Sequence, residues 1–132
     1  MMDASISEPS PAVRVLLVED DDFNRLLLND YLSYRGYQVL SLAEGSSFLS
    51  TLTQFQPHVV LLDLKLPDIS GYQLLEALRQ QIEFQHLPVI VLTAFAFRAE
   101  RQQALQLGVQ GYFVKPSRPE ELVAAIEKVC VG

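Results

Sequence analysis

The stretch Val13–Arg25 reads VRVLLVEDDDFNR. Its apolar run, Val15 to Val18, ends abruptly at four consecutive acids, Glu19, Asp20, Asp21 and Asp22. The first half has the unbroken aliphatic character of a strand buried on both faces. The second half sets like charges side by side at the strand's carboxyl end, where they repel and where burying any one of them is costly. A core strand that finishes in this way needs something positive at its tip.

Outward from this stretch, the same kind of apolar segment recurs: YQVLSL (37–42), HVVLL (58–62), PVIVL (88–92) and GYFVK (111–115), with RVLLV (14–18) as the first. Segments 14–18, 58–62 and 88–92 are nearly continuous in apolar residues. The other two are mixed, as suits edge strands. Helical stretches lie between them. Residues 22–35 place Phe23, Leu27, Tyr31 and Tyr34 near helical spacing, and Gly36 stops the helix. Residues 45–55 carry Phe48, Leu49 and Leu52, and residues 71–82 carry Tyr72, Leu74, Leu75 and Leu78. Residues 98–107 carry Ala104, Leu105 and Leu107 before Gly108. A last helix is predicted to start with a capping box, Ser117 with Glu120, and Pro119 in its first turn. Five strands alternating with five helices imply an α/β fold, a parallel sheet with helices on both faces and right-handed crossovers. In such open sheets the site lies beyond the carboxyl ends of the strands.

The chain of 132 residues fits one domain, and 49% hydrophobic residues suffice for a core. A net charge of −6 argues against broad nucleic-acid binding. The single cysteine, Cys130, forms no internal disulfide and fits a reducing compartment. No apolar run reaches the roughly 18 residues of a membrane span. The opening, MMDASISEPSPA, lacks a signal peptide's basic and hydrophobic regions. We expect residues 1–12 to be a flexible leader, residues 13–132 to be the domain, and the protein to be cytoplasmic.

At the strands' carboxyl ends stand Glu19 and Asp20 after the first, Asp63 after the third, Thr93 at the fourth and Lys115, followed by Pro116, at the fifth. If those strands are neighbours, three acids, a hydroxyl and an ammonium converge on one rim. An oxygen-rich cluster of this kind suits a hard divalent cation such as Mg²⁺. Asp21 and Asp22 have the plainer role of acids at the start of the first helix. Asp68 reads as a turn acid. His58 and His86 fall at strand entrances, away from the acids.

The pieces LLVEDD, VVLLDLKLPDISG, VIVLTA and GYFVKP, in that order, resemble the receiver domain of bacterial two-component response regulators. The resemblance implies a flavodoxin-like (βα)5 fold with strand order 2-1-3-4-5. It implies a phosphoacceptor signalling domain rather than an enzyme, one that assists its own phosphorylation and dephosphorylation. Asp63 is then the phosphoacceptor, taking its phosphoryl group from a sensor histidine kinase or a histidine phosphotransfer protein. Mg²⁺, or alternatively Mn²⁺, is held by Asp20, Asp63 and the backbone carbonyl of Lys65, with Glu19 acting through water. Thr93, Ala94 and Lys115 bind the phosphoryl group, and a cis peptide precedes Pro116. Tyr112 is the aromatic that turns inward with Thr93 to switch a surface made of the fourth helix, fifth strand and fifth helix. A downstream protein target reads that surface, and by analogy a homodimer forms through it. No nucleic acid or membrane is contacted directly. Lys65 and Phe95, each two residues past a site residue, predict slow hydrolysis of the phosphoryl group. Competing readings are a phosphorylation-independent interaction module, an Asp-nucleophile phosphatase (which needs an acid where Lys65 stands) and a flavin carrier, whose phosphate Glu19–Asp22 would repel.

Overall fold

The computed structural model describes residues 12–94 and 97–130. The expected leader, residues 1–12, lies outside the described residues except for Ala12. The chain runs β1 (Arg14–Val18), α1 (Asp22–Tyr34), β2 (Gln38–Leu42), α2 (Phe48–Phe55), β3 (Val59–Leu62), α3 (Gly71–Gln80), β4 (Val89–Thr93), α4 (Arg98–Gln106), β5 (Gly111–Val114) and α5 (Pro119–Cys130). All neighbouring strands pair in parallel, in the order 2-1-3-4-5. The fold is therefore the expected one. The mixed strands β2 and β5 occupy the edges, and β1, β3 and β4 form the buried middle.

Alternation along the strands splits the core into two layers. Val15, Leu17, Val59, Leu61, Ile90 and Leu92 face α1 and α5, meeting Leu28, Leu32, Leu122, Val123 and Ile126. Leu16, Val18, Val60, Leu62, Val89 and Val91 face the other way, onto Phe48, Leu52, Leu74, Leu75, Leu78 and Ala104. Both faces of the middle strands are thus covered, which is why their sequences show no polar alternation. Among the described residues, no helix is long and apolar enough to cross a membrane.

The structure corrects several local expectations. The inward face of α1 is Leu28 and Leu32, whereas Phe23 is 73% exposed, Tyr34 86%, and Leu27 about half. Apolar residues occupy two adjacent stripes of this helix, so spacing alone could choose the wrong one. Leu49 and Leu105 are likewise turned to solvent. The α2 helix starts only at Phe48. The α3 helix ends at Gln80, with a 3-10 turn at Ile82–Phe84 taking up the rest of the predicted span. The capping box predicted at Ser117 is displaced: α5 begins at Pro119, Glu121 Oε1 accepts from the Arg118 backbone N–H, and Ser117 Oγ is buried without a hydrogen bond. A complete capping box occurs instead on α3, between Ser70 and Gln73.

Candidate functional site

The rim beyond the sheet is built by extending the strand pairing past the strands themselves. Glu19 N–H donates to Leu42 O at 3.0 Å, and Asp63 N–H donates to Val18 O at 3.0 Å. Each acid is thereby locked to its neighbour's backbone at the point where the sheet ends. Lys115 is fixed similarly, its N–H donating to Thr93 O at 2.7 Å. Gly71 at the head of α3 packs against the backbone of Asp63 and Leu64. A Cβ there would lie 2.6 Å from Asp63 O and 2.5 Å from Leu64 Cα. Only glycine lets α3 start this close to the Asp63 loop.

Glu19, Asp20 and Asp63 bring carboxylate oxygens within 4.8 Å of one another. Glu19 is 1% exposed and Asp63 3%, while Asp20 is exposed. Lys115 Nζ lies 2.6 Å from Glu19 Oε1 and 2.8 Å from Asp63 Oδ2. Asp63 Oδ1 accepts from the Lys65 N–H at 3.0 Å, and Glu19 Oε2 accepts from the Asp21 N–H at 2.9 Å. Burial pushes the Glu19 carboxyl above its usual range, against the pull of Lys115 and the Asp21 amide. Burial alone would lower the Lys115 ammonium, but its hydrogen bonds and charge contacts with Asp63 and Glu19 outweigh that and hold it above its ordinary value.

Three carboxylates thus face one ammonium. Lys115 Nζ bridges Glu19 Oε1 and Asp63 Oδ2 and so offsets only part of the trio's charge. An all-oxygen donor set with excess negative charge fits a hard cation such as Mg²⁺.

The remaining predicted residues are placed as follows. Thr93 is completely buried at the end of β4, and Ala94 is exposed just beyond it. The Lys115–Pro116 peptide is cis. Tyr112 is half-buried, its ring against the α3–α4 core layer, and its hydroxyl is hydrogen-bonded to that of Tyr72. Lys65 is exposed, and Phe95 lies outside the described residues. Asp21 caps α1, its carboxylate accepting from the Asn24 N–H at 2.8 Å. His58 and His86 lie outside the acidic cluster, and His58 Nδ1 accepts from the Arg14 N–H at 2.9 Å.

The sequence reading did not find Arg25 beside the acids, nor Tyr72 behind Tyr112. Arg25 stands one turn into a helix where any exposed cation is commonplace. Tyr72 read as one of four apolar positions on α3.

The response regulator receiver domain family matches residues 15–127. Among characterised relatives, the transcriptional regulatory protein GltR of Pseudomonas aeruginosa is 39% identical over 113 residues, covering 86% of this chain and 47% of its own length. The polar-differentiation response regulator DivK of Brucella anthropi is 30% identical, covering 86% of this chain and 92% of its own. The chain therefore spans about half of GltR and nearly all of DivK. Among solved structures, Vibrio cholerae chemotaxis protein CheY4 superposes with a TM-score of 0.84 at 27% identity, over 90% of this chain and 99% of that one. A putative response regulator from Chloroflexus aurantiacus gives 0.86 at 30% identity, over 92% and 100%.

Proposed function

The chain belongs to the response regulator receiver domain family, and from that premise we propose that it takes a phosphoryl group from a phosphohistidine partner onto Asp63 and passes the signal to a protein target. Receivers are signalling domains rather than ordinary enzymes. The observation that carries this reading is the placement of Lys115 Nζ within 2.8 Å of Asp63 Oδ2 beside two further carboxylates.

An Asp63 carboxylate oxygen attacks phosphorus. A P–O bond forms as the P–N bond breaks, and the imidazole nitrogen leaves with the electron pair and takes a proton from solvent. Catalysis in such a transfer is mostly positioning and charge neutralisation. Glu19 (through water), Asp20, Asp63 and the Lys65 carbonyl are the groups that would hold Mg²⁺ or Mn²⁺. The bound ion supplies neutralisation of the charge on the transferring group. Lys115 gives up its bond to Asp63 and turns to a phosphoryl oxygen. The Thr93 hydroxyl and the Ala94 N–H donate to the others.

The donor is a sensor kinase or histidine phosphotransfer protein, met in the cytoplasm. Leu27, 47% exposed, lines a groove of about 380 Å³ together with Leu28, Lys115, Pro116, Pro119 and Leu122. An apolar surface continuous with the rim is where a partner must rest to deliver its imidazole. The output face is α4, β5 and α5, with Phe97, Leu105 and Val114 exposed on it and Tyr112 as its inner element. The same face serves a homodimer.

The test is incubation with Mg²⁺ and acetyl phosphate, read by intact mass. Wild type gains one phosphoryl group and Asp63→Asn gains none. A wild-type chain that stays unmodified moves the assignment to a phosphorylation-independent interaction module.

A further inference from the structure

Asp20 is the exposed member of the acidic trio, and among the described residues nothing hydrogen-bonds to its carboxylate. Its position is therefore set by its backbone, and one side chain grips that backbone. Arg25 Nη1 donates to Glu19 O at 3.0 Å and to Asp20 O at 3.3 Å, and Nη2 donates to Asp22 Oδ1 at 2.6 Å. The Asp20 carbonyl and the Asp21 N–H belong to one planar peptide group and point in opposite directions. Arg25 holds the carbonyl end, while the N–H end donates to Glu19 Oε2 at 2.9 Å. A single rigid plane thus links the guanidinium to the buried carboxylate.

We propose that Arg25 is a positioning residue for the metal cradle. By clamping the carbonyls of residues 19 and 20 it aims the Asp20 side chain and, through the 20–21 peptide, orients the Glu19 carboxylate. This rests on the cation-dependent reading given above. The ion pair with Asp22 is not the source of the effect, since Asp22 is 92% exposed and such pairs contribute little. The bond to Glu19 O is half-buried, and the planar guanidinium, tied at Nη2 to Asp22, aims both Nη1 hydrogens at the two carbonyls, an orientation that a freely rotating lysine ammonium reproduces only in part.

Charge and geometry predict opposite signs. As a mere cation near the cradle, Arg25 repels Mg²⁺, so removing it tightens binding. As a clamp, it pre-forms the site, so removing it weakens binding. Calorimetric Mg²⁺ titration of wild type, Arg25→Met and Arg25→Lys separates the two. The expected result is a loss of roughly tenfold in affinity for Arg25→Met, as for other outer partners of metal ligands, with Arg25→Lys in between. In metal-free protein the Asp21 amide of Arg25→Met exchanges its hydrogen faster than in wild type. Equal or tighter Mg²⁺ binding by Arg25→Met overturns the proposal. If that variant does not fold, Arg25→Lys decides, and a lysine variant indistinguishable from wild type in both readouts overturns it. A wild-type chain that binds no Mg²⁺ overturns the functional reading and this inference with it, whereas wild-type binding with unchanged variants overturns this inference alone.

Discussion

Asp68 is a turn acid with a long-range task. Its Oδ1 accepts from the Gly45 N–H at 2.9 Å, tying the loop after β3 to the entrance of α2. The Gly45 amide, with further help from those of Ser46, Ile69 and Asp68 itself, outweighs a small burial effect and holds the Asp68 carboxyl below its usual range. The folded state therefore favours the carboxylate. That stabilisation is complete above the unfolded carboxyl's value of about 4 and is lost as pH falls through the lower folded value. Urea midpoints measured from pH 5 to 2.5 should fall more steeply for wild type than for Asp68→Asn; parallel curves would contradict the assignment. Gly71→Ala tests the other fixed point of this loop. Its methyl meets backbone atoms that cannot swing aside, so a loss of roughly 1–3 kcal/mol is expected in denaturant unfolding. Asp68 was visible in the sequence as a turn acid, and Gly71 as the first residue of a helical stretch. Neither their partners nor the need for close approach could be read there, because Gly45 is 23 positions from Asp68. Asp63 and Lys115 were legible for a different reason: each interrupts an apolar run at its carboxyl end, where a charge has few idle explanations.

Elements were legible where their burial was one-sided or total, and misread where it was not. The three middle strands are apolar throughout and sit in the middle, and the positive φ of Gly36 (96°) and Gly108 (77°) marks the helix stops the sequence predicted. The α1 stripe was misjudged because solvent-exposed and core-facing apolar residues share one helix. Contacts between elements carry two more predictions. Arg79 of α3 donates to Phe84 O, Gln85 O and Leu87 O on one loop and to Leu107 O and Gly108 O at the end of α4. Arg79→Met strands those carbonyls together, and a loss of roughly 2–4 kcal/mol is expected in urea, with little recovery in Arg79→Lys. Tyr72 of α3 donates to Glu100 O of α4 at 2.7 Å, and its hydroxyl also meets that of Tyr112. Burial first, then the charges of Tyr112 and Glu100 and the bond to Tyr112, push the Tyr72 phenol up to about 12. Tyr72→Phe should abolish the latest-titrating phenol in alkaline absorbance titration and speed hydrogen exchange in the first turn of α4. If the late phenol survives, Tyr72 is not the phenol held up by burial beside Tyr112 and Glu100.

At the scale of the molecule, the buried sheet is a rigid base whose two covered faces leave only its ends for chemistry. The carboxyl end holds the charge excess, and the fold tolerates it because Lys115 and backbone amides partly neutralise Glu19 and Asp63. Asp20 receives no such help, so its effect on stability should change sign with Mg²⁺. Without the ion, Asp20→Ala removes a like charge from beside two others, and its thermal midpoint should equal or exceed that of wild type. With the ion, wild type gains binding free energy that the variant largely forgoes. At a free Mg²⁺ concentration one hundred times the dissociation constant, that gain is about 2.7 kcal/mol, or several degrees in midpoint for a domain of this size. Thermal unfolding of both chains across a Mg²⁺ series should therefore give curves that cross, with the wild-type midpoint climbing logarithmically and the Asp20→Ala midpoint nearly flat. Parallel curves at every concentration would mean that Asp20 lies beside the cation's place without holding it, and the cradle would then have to be rebuilt from Glu19, Asp63 and backbone oxygen alone.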